Sequence, residues 1–153
     1  MHDDVYFRLG ERLNQHPVKM LLVESYLKIL QEFYTPEQAE LGAAMPEGAF
    51  PAAELAKRLN RDQEPMTEML ETMADKGLIF VIKGDDGVSK YALTQFVPGV
   101  VEFQLMRGMD TPEDRKVARM IKEFFEGEMR DLMEAFFEDP EAVKQMIPNP
   151  PAR

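Results

Sequence analysis

Cysteine is absent from this chain, and histidine is scarce. Without a thiol, the chain itself can form no disulfide, thiolate zinc site, cysteine-held iron–sulfur cluster or cysteine nucleophile. The two histidines, His2 and His16, leave little material for a histidine metal site or for serine–histidine catalysis. No apolar run approaches the roughly 20 residues that a membrane span needs, and residues 1–4 are acidic rather than signal-like. We therefore expect a globular cytoplasmic protein without a membrane span.

Basic residues are also few in comparison with acidic ones. The 153 residues include 18 Lys and Arg against 28 Asp and Glu, which gives a net charge of −10. Binding to phosphate backbones without sequence preference needs clustered Lys and Arg, so this balance argues against it. The length is that of one domain with a real hydrophobic core.

The first part of the chain, 18–49, is predicted to be helical. Apolar residues recur at helical spacing over 18–34, in a stripe wide enough that two faces of this helix should be covered. Thr35, Pro36 and Gln38 then supply an N-cap, a first-turn proline and a capping-box partner. We expect this second helix to end near Ala44.

Residues 50–94 carry the clearest pattern. A short helix over 52–59 is followed by a turn and a second helix, which Asp62 can cap and which should run to about Lys76. Gly77 stands where a left-handed helix end is expected. The β-rich runs 78–82 and 89–94 flank a turn at 84–87 that is typical of a hairpin. The order helix, turn, helix and hairpin predicts a winged helix-turn-helix.

The C-terminal part, 95–145, is predicted to hold a short helix after Phe96–Gly99 and a long helix from Pro112 to about Phe137. The long helix carries apolar pairs every four residues, so its apolar stripe drifts by roughly 40° per step. It should therefore contact different neighbours along its length or bend near Gly127. The proline-rich segment 146–153 is typical of a tail or linker.

Together these patterns predict one domain over 1–148 of the mostly α class. Its fold would be a winged helix-turn-helix with a two-stranded β-hairpin wing and additional N- and C-terminal helices. The long helix has more large apolar residues than a small domain readily hides. Burial within the domain, a dimer interface and a neighbouring domain all remain open for them; the residues concerned are Phe124, Phe125, Phe136 and Phe137.

The charge on the second helix of the 50–94 block argues against DNA binding, although that helix commonly enters the major groove in this class of fold. Its apolar face is taken by Met66, Met69, Leu70 and Met73. The exposed face is then acidic and repels phosphates; it comprises Glu64, Glu68, Glu71, Thr72 and Asp75. The wing carries Asp85 and Asp86 at its tip, flanked by Lys83 and Lys90.

No pattern in the sequence indicates catalysis, a cofactor or a metal ion. Glu123/Glu126 and Glu134/Glu138 could be imagined as acid–base pairs, but no histidine or phosphate-binding loop accompanies them. Such pairs are typical of solvated helix faces. Residues 2–4 could bind a metal only loosely, because chain ends fray. We predict no catalytic, cofactor-binding or metal-ligating residue in this chain.

Several segments resemble the N-terminal region of a family of bacterial and archaeal 4Fe-4S ferredoxin-type proteins. The most specific is Phe96–Gln104, with the pattern Phe-x-x-Gly-x-x-Glu-x-Gln, directly after Tyr91-Ala92-Leu93. More general matches are Phe33–Ala39, Leu55–Leu59 and Met73–Ile79. The resemblance covers most of residues 5–148.

This resemblance implies a winged-helix segment that precedes a cysteine-rich, cluster-binding part. The cluster cysteines are absent here, so a 4Fe-4S cluster is implied only if such a part follows Arg153. We therefore expect a non-catalytic scaffold that docks an iron–sulfur electron-transfer module, with a homodimer or an adjacent iron–sulfur domain as partner. The alternative is a MarR-like dimeric DNA-binding regulator, which the acidic second helix disfavours.

Overall fold

In a computed structural model, the chain is mostly helical and carries a small antiparallel sheet. The structure describes residues 4–16, 19–101, 104, 111–131, 134 and 138. The helices are α1 (Val5–Leu13), α2 (Glu24–Phe33), α3 (Pro36–Ala44), α4 (Ala52–Leu59), α5 (Gln63–Asp75) and α6 (Pro112–Phe124); the strands are β1 (Phe50–Pro51), β2 (Ile79–Lys83) and β3 (Ser89–Leu93). Two π-helical turns lie at Phe96–Val100 and Phe125–Met129.

The prediction of one helix over 18–34 is wrong at its N-terminal end. Helix α2 begins only at Glu24, after an extended Val23, and Val18 lies outside the described residues. The segment before α2 is a loop because the buried Asn14 side chain bonds both backbone groups of Met20, at 2.8 Å each. These side-chain hydrogen bonds take the place of the backbone hydrogen bonds of a helix. Met20 is buried all the same, so the spacing of apolar residues resembles that of a helix.

Helix α1 was not predicted, although its ends have ordinary signals. Asp4 accepts hydrogen bonds from the amides of Tyr6 and Phe7 and so caps the helix. Its buried residues Leu9 and Leu13 pack towards the core, and α1 packs mainly against α3.

The elements over 35–94 agree closely with the predicted ones. Thr35 and Gln38 form the capping box of α3, and α4 spans the predicted 52–59. Helix α5 starts after Asp62, but that side chain makes no capping hydrogen bond within the described structure. The hairpin pairs β2 with β3 from Ile79↔Leu93 to Lys83↔Ser89. A short strand, β1, pairs with the other side of β3 and was not predicted.

The C-terminal helix begins at Pro112, as predicted, and Thr111 and Asp114 form its capping box. The α-helix ends at Phe124 and a π turn follows over Phe125–Met129, the region where the sequence predicts either a change of neighbours or a bend near Gly127. A π turn rotates the chain less per residue than an α turn, so it suits apolar residues spaced four apart. Phe124 is buried, and Phe125 is half-buried. Phe136, Phe137, most of the short helix expected after Gly99 and the tail 146–153 lie outside the described residues.

One hydrophobic core joins these elements. Aromatic contacts join the C-terminal helix to α2. The ring of Tyr26 stacks on that of Phe124, with centroids 5.4 Å apart. The rings of Tyr26 and Phe96 are perpendicular, with centroids 4.9 Å apart. A Lys116–Glu32 ion pair of 2.8 Å and a hydrogen bond from Ser25 to Glu128 flank this contact. The core leaves the β2–β3 hairpin projecting at one side, with α5 packed behind β2.

Candidate interaction surface

The β2–β3 hairpin has one face turned towards the core and one face turned away from it. Residues directly opposite one another in an antiparallel pair share a face, and successive residues alternate. Ile79 and Tyr91 are buried, so the odd-numbered positions of the hairpin face the core. The even-numbered positions face outward; we call them the outer hairpin face, which comprises Phe80, Ile82, Val88, Lys90 and Ala92.

The outer hairpin face is largely apolar. Phe80 is 53% exposed, Ile82 51% and Val88 42%. With Val81, on the opposite face at 42%, they are the exposed large hydrophobic side chains of the described structure. Single exposed apolar residues are common on protein surfaces, but a contiguous group on one sheet face is typical of an interaction site.

The hairpin also has an edge strand, β2, whose outer side is accessible at Val81 and Lys83 but covered at Ile79. The amide of Thr94 donates to the carbonyl of Leu78 (3.0 Å), and that of Gly84 donates to the carbonyl of Val88 (3.2 Å). Even-numbered residues of β2 therefore direct their backbone groups towards β3. By the same alternation, Ile79, Val81 and Lys83 direct their N–H and C=O groups away from β3. Because the order of the described strands is β1-β3-β2, this side of β2 is a sheet edge.

The start of β2 is held firmly to α5. Gly77 has a φ of 79°, which permits a left-handed helix end that side chains disfavour. The amide of Leu78 donates to the carbonyl of Met73 (2.9 Å), and that of Gly77 to the carbonyl of Ala74 (3.0 Å). This pair of bonds is a Schellman motif, which fixes the direction in which the strand leaves the helix.

Behind the sheet, Tyr91 ties β3 to the exposed side of α5. Its hydroxyl donates to Glu71 Oε1 at 2.6 Å. Burial, together with the hydrogen bond to Glu71 and the charge of that carboxylate, raises the pKa of Tyr91 to about 12. The hydrogen bond joins the inner face of the hairpin to α5, which packs behind the sheet.

The acidic face predicted for α5 is present. Glu64, Glu68, Glu71, Thr72 and Asp75 are all exposed, whereas Met66, Leu70 and Met73 are buried and Met69 is half-buried. At the wing tip, Asp85 and Asp86 are exposed as well. A DNA duplex approaching α5 would meet these carboxylates first. Their charge repels the phosphates, so the structure, like the sequence, argues against DNA binding through α5.

The residues considered for catalysis or metal binding are not brought together. Glu123, Glu126, Glu134 and Glu138 are exposed on the C-terminal helix. His16 lies in the turn after α1, where its carbonyl oxygen accepts a hydrogen bond from Lys19. Among the residues described, no three His, Asp or Glu side chains are grouped as metal ligands would be. His2 and Asp3 lie outside the described ranges, while Asp4 serves as the cap of α1.

Two of the large apolar side chains of the last helix, Phe124 and Phe125, pack within the domain. Phe124 is 1% exposed and packs against Tyr26. The ring centroids of Phe124 and Phe125 lie 5.3 Å apart. Burial within the domain, one of the three options left by the sequence, therefore accounts for Phe124.

Among the helices that the structure describes, none combines the length and apolar composition needed to cross a bilayer.

Comparison with known proteins gives no assignment: no protein-family model matches the chain, and no curated protein or solved structure is similar to it. The surface is therefore interpreted from its own chemistry.

Sequence reasoning missed the outer hairpin face, although a signal was present. A two-stranded hairpin packed on one side should alternate apolar and polar residues. The run 78–82 is apolar throughout, so whichever of its faces is turned away from the core exposes apolar side chains.

Proposed function

We propose that this chain is a non-catalytic protein-interaction domain that binds its partner through the outer hairpin face. The observation that carries the proposal is the exposure of Phe80 and Ile82 on a strand anchored by α5. Exposed apolar area of this kind is unfavourable in water and is retained where a partner covers it. The acidic remainder of the surface favours a partner with a basic or polar rim around its own apolar centre.

The fold proposed for this domain is a winged helix. The order α4, α5, β2 and β3, with a short strand completing the sheet, supports it. In this interpretation β2 and β3 form the wing. The wing then acts as the binding element, while the acidic α5 supports it from behind.

The narrower form of the proposal names an iron–sulfur electron-transfer protein or domain as the partner. It depends on the resemblance of Phe96–Gln104 and the neighbouring segments to ferredoxin-type proteins. The chain would then dock or orient the redox module and would hold no cluster itself, since it has no cysteine.

Affinity capture with matched variants tests the proposal. Immobilised wild-type chain is compared with the double variant Phe80→Ser/Ile82→Ser and with Ala53→Ser, a control on the exposed side of α4. Extracts of the source cells are applied under anaerobic conditions. We expect specific proteins to be retained by the wild type and the control and lost from the double variant. Equal retention by all three would contradict the assigned surface.

The same eluates test the narrower form. Iron and acid-labile sulfide should be recovered with the wild type and not with the double variant. Retained partners without either would leave a protein-interaction domain but overturn the iron–sulfur assignment.

The regulator alternative makes the opposite prediction about nucleic acid. A winged-helix regulator should bind duplex DNA with an affinity that falls steeply as salt rises. We expect no shift in the anisotropy of a labelled duplex at low salt, because α5 presents carboxylates. Salt-sensitive binding that is weakened by substituting Lys83 and Lys90 would favour the regulator.

A further inference from the structure

We propose that the outer hairpin face binds an amphipathic helix of a partner protein, and that this helix carries an Asp or Glu that pairs with Lys90. The inference rests on the proposed function, because it specifies the chemistry of the segment that covers the surface assigned there. Three observations support such a partner: the position of Lys90 in the sheet, the lack of a counter-charge around it within the described structure, and the covered edge of β2.

Lys90 lies at the centre of the outer hairpin face. Strand β3 is the middle strand of the sheet, and Lys90 stands opposite Ile82 of β2 on one side and Pro51 of β1 on the other. Phe80 is its diagonal neighbour on β2, within reach of a long side chain. The exposed Lys90 side chain is thus flanked by apolar residues. A partner that covers Phe80 and Ile82 therefore also removes water from Lys90.

Within the described structure, no side chain neutralises Lys90. Neither the other residues of the outer hairpin face nor Pro51 is acidic. The Lys90 ammonium makes no ion pair or hydrogen bond with a described residue. Asp86, in the turn of the hairpin, accepts a hydrogen bond from the amide of Val88 instead, at 3.0 Å. The outer hairpin face is therefore an apolar surface with a local positive charge, on a chain whose net charge is −10.

The desolvation of Lys90 determines what the partner has to supply. An ammonium group that loses water without gaining an opposite charge is costly to bury, and a carboxylate in contact with it offsets that cost. A lysine on an edge strand can extend past the sheet into water, but Lys90 is on the middle strand. The complementary protein group is thus an Asp or Glu set among apolar residues. Residues of the helix beyond this face can still be basic, opposite the acidic remainder of the surface.

A helix suits this face better than an extended segment does. An extended segment that joins a sheet needs a free strand edge for its backbone hydrogen bonds, and the edge of β2 is covered at Ile79, which is 3% exposed. A helix satisfies its own backbone groups and packs on a sheet through one apolar stripe. Phe80 and Ile82 lie about 7 Å apart along the strand, and positions i and i+4 of a helix lie about 6 Å apart along its axis. A helix aligned with β2 therefore places one apolar residue over each of these two side chains.

Selection from a display library of helical peptides tests the inference with a defined probe. The peptides share an alanine-rich helical scaffold, and the positions i, i+3, i+4 and i+7 of one face are varied among Leu, Gln, Lys and Glu. Peptides are selected for binding to the immobilised wild-type chain. We expect enrichment of peptides that combine leucine with glutamate on the varied face, and depletion of those with lysine there.

Charge exchange on an enriched peptide identifies Lys90 as the contact. Lys90→Met should weaken binding about tenfold or more, because the peptide carboxylate loses its partner. Lys83→Met is the matched control: Lys83 is also an exposed lysine of the hairpin but lies at an odd-numbered position of the edge strand, and its loss should leave the affinity unchanged. Lys90→Glu should abolish binding of the selected peptide and restore binding of the same peptide with its glutamate replaced by lysine.

The two proposals fail separately. Enriched peptides that lack a carboxylate, or that bind Lys90→Met as tightly as the wild type, would overturn the pairing with Lys90; if they lose affinity for Phe80→Ser/Ile82→Ser, the proposed function stands. Enriched peptides that bind this double variant as tightly as the wild type would overturn the outer hairpin face as the binding surface, and the inference with it. A library from which nothing is enriched would overturn the helix as occupant, while affinity capture with the double variant still decides the proposed function.

Discussion

Two phenylalanines with opposite environments provide a quantitative test of how the hairpin is used. Phe124 is 1% exposed and stacks on Tyr26, whereas Phe80 is 53% exposed on the outer hairpin face. If Phe80 serves a partner rather than the fold, the alanine substitutions at these positions should differ greatly in their effect on the free energy of unfolding.

The magnitudes follow from burial. Phe124→Ala removes a buried ring and leaves a cavity beside Tyr26, which should cost about 3–5 kcal/mol of unfolding free energy. Phe80→Ala removes a ring that is already about half exposed. Since full burial of such a side chain contributes about 1.5–3 kcal/mol, its loss should cost about 1 kcal/mol. The first value is a large fraction of the roughly 5–15 kcal/mol that a typical domain has.

Urea unfolding followed by circular dichroism measures both changes, since the chain has no tryptophan to report by fluorescence. Equal m-values for the wild type and both variants would establish that one transition is being compared. A cost for Phe80→Ala as large as that for Phe124→Ala would refute the reasoning, because Phe80 would then be part of the folded core. A cost below about 1 kcal/mol for Phe124→Ala would refute the anchoring of the C-terminal helix on Tyr26.

Three further substitutions test the supporting structure. Asn14→Ala leaves both buried backbone groups of Met20 without their partner and should cost about 2–3 kcal/mol, measured by the same urea titration. Thr35→Ala removes the side-chain cap of α3 and should cost about 1 kcal/mol, visible as a lower Tm. Tyr91→Phe removes the hydrogen bond to Glu71 and should cost about 1 kcal/mol at neutral pH. The pKa of Tyr91 is raised from 10 to about 12. The stabilisation by its neutral hydroxyl is therefore complete below pH 10 and is lost between pH 10 and about 12. The difference in unfolding free energy between the wild type and Tyr91→Phe should stay constant below pH 10 and narrow above it.

Local chemistry explains which elements could be predicted from the sequence. Helix α3 begins at a complete capping box, and β2 follows a glycine that ends α5 with a Schellman motif. Such signals lie within a few residues of the boundary they determine. The predicted acidic face of α5 followed from the spacing of its buried residues, and it is present.

Tertiary contacts explain what could not be predicted. The loop over 19–23 depends on a hydrogen bond from Asn14, and the apolar period alone extends through it. The π turn after Phe124 lies beside Ser25, far away in sequence. The exposure of Phe80 depends on which face of the hairpin α5 covers, and the sequence pattern does not decide that.

The central claim, that Phe80 and its neighbours bind a protein, is tested most directly by photocross-linking in the source cells. A photoreactive residue is placed at position 80 in one strain and at position 64, on the exposed acidic face of α5, in another. We predict discrete adducts with a partner protein from position 80 and none above background from position 64. Adducts from position 64 with none from position 80 would contradict the claim and would place the interaction on α5.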